Sequence, residues 1–129
     1  MVFPQEFRPV YRYVVTDGQA QELTILDPEL WRQSGVVYAR RYAGKIVHIG
    51  STDRSLCRRI SEHVHLVRSS PRNACYRAWA EGKQIETLAY HPPPVLLLGR
   101  EVKVHRSIEA ALIAEFDRRG DPDWFVLKA

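Results

Sequence analysis

SGVVYARRYAGKIVHIG, residues 34–50, is the stretch on which the fold turns. Residues 36–42 and 45–49 are rich in β-branched and aromatic side chains, the composition that suits a pleated, half-buried surface. Ala43-Gly44 lies between them at the turn. This hairpin is the expected centre of the molecule, and the flanking elements are read outward from it.

Upstream, residues 11–15 and 21–26 are expected to form a second strand pair, joined at Asp17-Gly18, a dipeptide that favours tight hairpin turns. Asp27-Pro28 then starts a short helical turn through Trp31. Downstream, Thr52 or Asp53 is a candidate cap for a helix reaching to about Arg68, with Leu56, Ile60, Val64 and Val67 on one apolar stripe. Ser70-Pro71 starts another helix, which Gly82 ends. Residues 85–90 have strand character, His91-Pro92-Pro93-Pro94 interrupts the chain, and residues 95–98 take no assignment. Ser107 is expected to cap a last helix over residues 108–119, with Ile108, Leu112 and Phe116 on one side and Gly120 at its end. The order predicts an α+β fold. A small, mainly antiparallel sheet, made of the central hairpin and a third strand, is flanked by three helices. Residues 1–33 form an N-terminal β-hairpin extension to a main domain over residues 34–129.

At 129 residues, with 45% hydrophobic and 26% charged residues, the chain has the make-up of one soluble globular domain. The longest apolar run, residues 92–98, is too short to span a bilayer, and the first ten residues lack a signal-peptide core. These features predict a cytoplasmic protein, bacterial or phage-encoded, with no membrane partner. Cys57 and Cys75 lack zinc-ligand spacing and are expected to be buried thiols. The net charge of +4 is unevenly spread. Residues 40–77 hold nine basic side chains against two acidic ones, so this third carries +7 and the remainder −3. Such a split suits one surface meeting phosphates. Arg40, Arg41, Lys45, Arg54, Arg58, Arg68 and Arg72 are the expected nucleic-acid contacts.

Ser34-Gly35-Val36-Val37-Tyr38, followed ten residues after the tyrosine by His48-Ile49-Gly50, resembles the motif pair that names the GIY-YIG nuclease family. More matches follow in order. Leu56-Cys57-Arg58-Arg59-Ile60-Ser61-Glu62-His63 is similar to the family's helix, with its arginine and a histidine one turn later. Residues 73–82, 85–90 and 108–116 match the next helix, a strand and the closing glutamate helix, so the resemblance covers residues 34 to about 119. Two positions depart from the pattern. His48 stands where the family has tyrosine, and one extra valine precedes Tyr38. The late asparagine is also absent, with Asp123 the nearest substitute.

The resemblance implies a metal-dependent endonuclease that hydrolyses phosphodiester bonds in DNA, duplex DNA first of all, leaving 5′-phosphate and 3′-hydroxyl ends. Hydrolysis needs an activated water, neutralisation of transition-state charge and help for the leaving oxygen. Arg59 and His63, four apart, lie on one helical face, and the Arg59 guanidinium suits phosphate oxygens. Glu109 matches the family's metal-binding carboxylate for Mg²⁺ or Mn²⁺, with Glu115 as the rival. Tyr38, His48 and His63 are the candidates to orient or deprotonate water. His65, His91 and His105 lack the spacing of a zinc site, and Trp31, Trp79 and Trp124 are expected to pack. Two other expectations compete. One is a catalytically silent nucleic-acid-binding module, and the other is a nuclease acting on RNA or structured DNA. A monomer or a homodimer is compatible with the sequence.

Overall fold

The computed structural model describes residues 3–17, 19–58, 81–120 and Trp124. Most of the expected helix up to Arg68 and the helix over residues 71–82 lie outside them, as do Arg59, His63, Arg68 and Arg72. The fold is α+β, as expected. A five-stranded sheet in the order β2-β1-β5-β3-β4 is antiparallel throughout. Its strands are β1 (Arg8–Thr16), β2 (Gln19–Ile25), β3 (Ser34–Tyr42), β4 (Lys45–Ser55) and β5 (Gln84–Tyr90). Helix α1 (Pro28–Arg32) links the two hairpins, and α2 (His105–Arg119) follows a separate two-stranded sheet of β6 (Val95–Leu97) and β7 (Arg100–Val102). Among the described residues no helix is long and apolar enough to cross a membrane.

The central hairpin forms where expected, with Ala43 at φ 50° and Gly44 at φ 78°. Two consecutive positive φ angles make the tight turn whose twist matches the strands it joins. The N-terminal hairpin is continuous with the sheet. β1 pairs along β5, and Pro9, which has no amide hydrogen to donate, sits where the register shifts. Asp27 caps α1 by accepting a bond from the Leu30 amide at 3.1 Å.

Side chains alternate between two cores. One holds Tyr11, Tyr13, Leu30, Trp31, Val36, Tyr38, Leu56 and Ile85. The other holds Phe7, Val37, Ala39, Ile49, Leu88, Phe116 and Trp124, with Ile108, Leu112 and Ile113 of α2 packed against it. The helix therefore covers one face of the sheet, and Trp31 and Trp124 are buried as expected.

Three local expectations are corrected. Neither Thr52 nor Asp53 caps a helix, because β4 continues its pairing to Ser34↔Ser55. Helical backbone starts only at residue 56, where the Ser55 hydroxyl accepts from the Arg58 amide at 3.4 Å. Ser107 does not start α2 either. The helix begins at His105 with no side-chain cap, and its first turn is tied from outside through Asp53. Cys57 is exposed rather than buried. Adjacent helical positions point about 100° apart, so burying Leu56 turns Cys57 outward.

Candidate active site

The site is built around two consecutive residues of β4, the outermost strand of the large sheet. Tyr38 pairs across with Gly50. Its ring lies so close to that glycine that a Cβ on residue 50 would stand 2.6 Å from both Cζ and Oη of the tyrosine. Glycine is thus required here by approach. Tyr38 is 1% exposed, and the His48 ring lies 5.9 Å from its own, tilted by 48°. Next along the strand, Ser51 pairs with Val37, whose side chain belongs to the α2-facing core. The Ser51 hydroxyl donates to Glu109 Oε1 at 2.8 Å. Tyr38 and Glu109 therefore flank Gly50-Ser51 from opposite faces of the outer strand.

A row of polar side chains crosses four strands beside Tyr38. Tyr11 pairs with Thr87, Thr87 with Arg40, and Arg40 with His48. Arg40 is 2% exposed, with its guanidinium carbon 5.9 Å from the centre of the Tyr38 ring. Burial pushes the Tyr11 phenol above its ordinary pKa, and the Arg40 charge pulls it partly back. Arg40 is thus not on an outer phosphate-binding face, which corrects its expected placement: an inward position of a sandwiched strand buries even a guanidinium. Arg41 is half-exposed and paired with Glu86 on the neighbouring strand. Lys45, Arg54 and Arg58 are exposed.

The helix bearing Glu109 is anchored by Asp53. His105, 4% exposed, meets Asp53 Oδ1 through Nε2 at 2.6 Å, and Arg106 bonds the other carboxylate oxygen. The bond with His105, followed by that with Arg106, holds the Asp53 carboxyl below its ordinary pKa of 3.8. A depressed carboxyl contributes stability above the unfolded-state pKa and loses it as pH falls through the folded one. Asp53→Asn is therefore expected to melt below wild type at pH 7, with the gap closing as the pH drops under 3.8. Equal melting temperatures at neutral pH would show the anchor to be inert. Glu115, by contrast, is engaged by Arg118 and Arg119 of its own helix, and Arg118 above all holds its carboxyl below the usual range.

Two solved structures share this fold. Bacteriophage T4 EndoII, solved as a glutamate-to-alanine mutant, is similar with a TM-score of 0.62 and 19% identity over 86% of this chain and 88% of its own. Restriction endonuclease HPY188I, solved in complex with product DNA, is similar with a TM-score of 0.52 and 18% identity over 90% of this chain and 76% of its own. No protein-family model and no curated protein matches the chain.

The structure brings Tyr38 and His48 together and sets Glu109 on the residue after Gly50. Reading the sequence alone misses Ser51, Asp53, His105 and Arg106 as parts of this arrangement. Ser51 follows Gly50 and is within reach of inspection, but the contact between Asp53 and His105 spans 52 positions and leaves no local pattern.

Proposed function

We propose that this chain is a GIY-YIG-type endonuclease that hydrolyses DNA phosphodiester bonds to 5′-phosphate and 3′-hydroxyl ends. The observation that carries this reading is the placement of Tyr38 against Gly50, the last residue of the second motif, and of Glu109 against Ser51, the residue after it. The shared fold with a restriction endonuclease bound to product DNA supports it.

Glu109 is the residue that would hold Mg²⁺ or Mn²⁺. Its half-buried carboxylate beside a hydroxyl is a hard oxygen donor set, and one carboxylate suits an ion that keeps waters and takes phosphate oxygens as its other ligands. Bound there, the ion would neutralise charge building on the phosphate and the leaving oxygen.

Ser51 fixes the Glu109 carboxylate by donating one bond to it, which leaves the second oxygen for the ion. Tyr38, held in place by Gly50, and His48 lie across β4 from Glu109, so they would reach the attacking water around the open edge of that strand. His48, Tyr38 or His63 takes its proton, imidazole being the better base near neutral pH. Arg59 would neutralise the non-bridging oxygens, and Lys45, Arg54, Arg58, Arg68 and Arg72 would track the flanking backbone. Arg40 acts instead from beneath the Tyr38 ring.

Supercoiled plasmid incubated with the purified protein and Mg²⁺ or Mn²⁺ tests the reading. Nicked and linear forms that EDTA abolishes are expected. If DNA is bound but never cut under either metal, the substitution of His48 for tyrosine has removed the chemistry and the chain is a binding module.

A further inference from the structure

Between β5 and α2 the chain forms a feature that the catalytic reading does not use. β6 and β7 make a three-pair hairpin, Val95↔Val102, Leu96↔Glu101 and Leu97↔Arg100, whose six residues are all exposed. Leu96 is 71% exposed, Leu97 58% and Leu98, at the tip, 94%. Three successive leucines standing in solvent gain nothing from hydrophobic burial in the folded chain.

Leu98 is also placed against its backbone preference. It has φ 52°, followed by Gly99 at φ 75°, the geometry of a two-residue turn in which asparagine is the favoured first residue. A branched aliphatic side chain in the left-handed region is uncommon and strained. Neither turn chemistry nor packing accounts for a leucine here, so its use lies outside the fold.

The surroundings indicate what meets it. Arg100 stands one residue past the turn and Lys103 three positions further on, against Glu101 alone on the hairpin's acidic side. A basic-flanked apolar tip complements a polyanion with an apolar interior. The hairpin also runs directly into α2, where Glu109 lies just after the first turn. A three-pair ribbon is about 10 Å long, comparable to the depth of a duplex groove of about 8 Å.

We infer that the hairpin is a wedge: Leu98, backed by Leu97, inserts between stacked base pairs of the DNA held at the Glu109 site, while Arg100 and Lys103 hold the adjoining phosphates. The inference rests on the nuclease reading and adds to it a preference for DNA that is easily unstacked. Apolar wedges of this kind kink the duplex, and the unstacking costs least where a base pair is already mismatched.

The test compares wild type with Leu98→Asn, a substitution that suits the turn and removes the apolar tip. Binding of a fully paired duplex and of the same duplex with one central mismatch is measured by fluorescence anisotropy in EDTA. Melting temperature and solution mass of the free proteins are measured alongside. Wild type is expected to favour the mismatched duplex by about tenfold. Leu98→Asn is expected to bring that ratio close to one without lowering the melting temperature. An unchanged ratio in the variant, or no mismatch preference in wild type, overturns the wedge while leaving the plasmid-cutting result untouched. A wild-type dimer that becomes a monomer on Leu98→Asn also overturns it, by making the tip a contact between copies. Failure of wild type to bind either duplex overturns the nuclease reading and the wedge together.

Discussion

Glu109→Gln is expected to stop DNA cleavage while leaving DNA binding in place. The amide keeps the shape of the side chain, and its oxygen can still accept the Ser51 hydroxyl that Glu109 accepts at 2.8 Å. What disappears is the negative charge, which is what a divalent ion in this position requires. Losing the charge that the ion would place at the leaving oxygen should slow nicking by roughly 10³-fold or more, the scale of one preorganised electrostatic contact in a transition state. Binding should hold or tighten slightly, since one acidic group near the phosphates is gone. Plasmid nicking at saturating Mg²⁺, paired with a gel shift in EDTA, separates the two effects. Nicking by Glu109→Gln at the wild-type rate would move the metal to another carboxylate. Glu115→Gln is the companion measurement. That side chain is occupied by Arg118 and Arg119, and its replacement should leave cleavage unchanged.

The second large effect is expected from the smallest substitution. Gly50→Ala adds one methyl group where Tyr38 Cζ and Oη stand 2.6 Å from the new atom. Strand pairing holds the backbone of both residues, so the ring must yield. Overpacking of this kind costs about 1–3 kcal/mol of stability. A tyrosine displaced by about an ångström from its working position costs on the order of 100-fold in rate. Removing the ring in the same chain distinguishes strain from a general loss of structure. Tyr38 is itself a core side chain, so Tyr38→Ala combined with Gly50→Ala should lose less melting temperature than the sum of the two single losses, yet remain inactive. If the two losses simply add, the tyrosine is not what the methyl group meets.

The central hairpin and the N-terminal pair are legible in the sequence because strand composition and turn dipeptides are local signals. α1 is legible for the same reason, with Asp27-Pro28 marking its start. The motif order places Tyr38 and Glu109 correctly on a strand and a helix. Three things were not legible. β4 runs five residues past the glycine of its motif because it is paired with β3, and pairing is a property of two segments. Arg40 sits inside because alternation along β3 outweighs the preference of a cation for water, and a count of basic residues cannot register that. The β6–β7 hairpin escaped because residues 95–97 look like a core strand and turn out to be wholly exposed. Hydrophobic composition signals burial only where the fold supplies a partner.

β5 is the strand through which the sheet becomes one body. Hairpins β1–β2 and β3–β4 each close through short turns and can form from neighbouring residues alone. They do not pair with each other, and it is β5 that pairs with both β1 and β3. During synthesis the two hairpins must therefore wait, side by side and unjoined, until residues 84–90 emerge, with the edges of β1 and β3 meanwhile exposed. Contacts between Arg8 and Ala89 close a loop of some eighty residues, and non-local pairings of this kind set the pace of folding. Substitutions in β5 that weaken strand formation, such as a proline at Thr87, would be felt as slow or failed assembly more than as a local defect. The Glu109 helix, which emerges after β5, can dock only on a sheet that β5 has already joined.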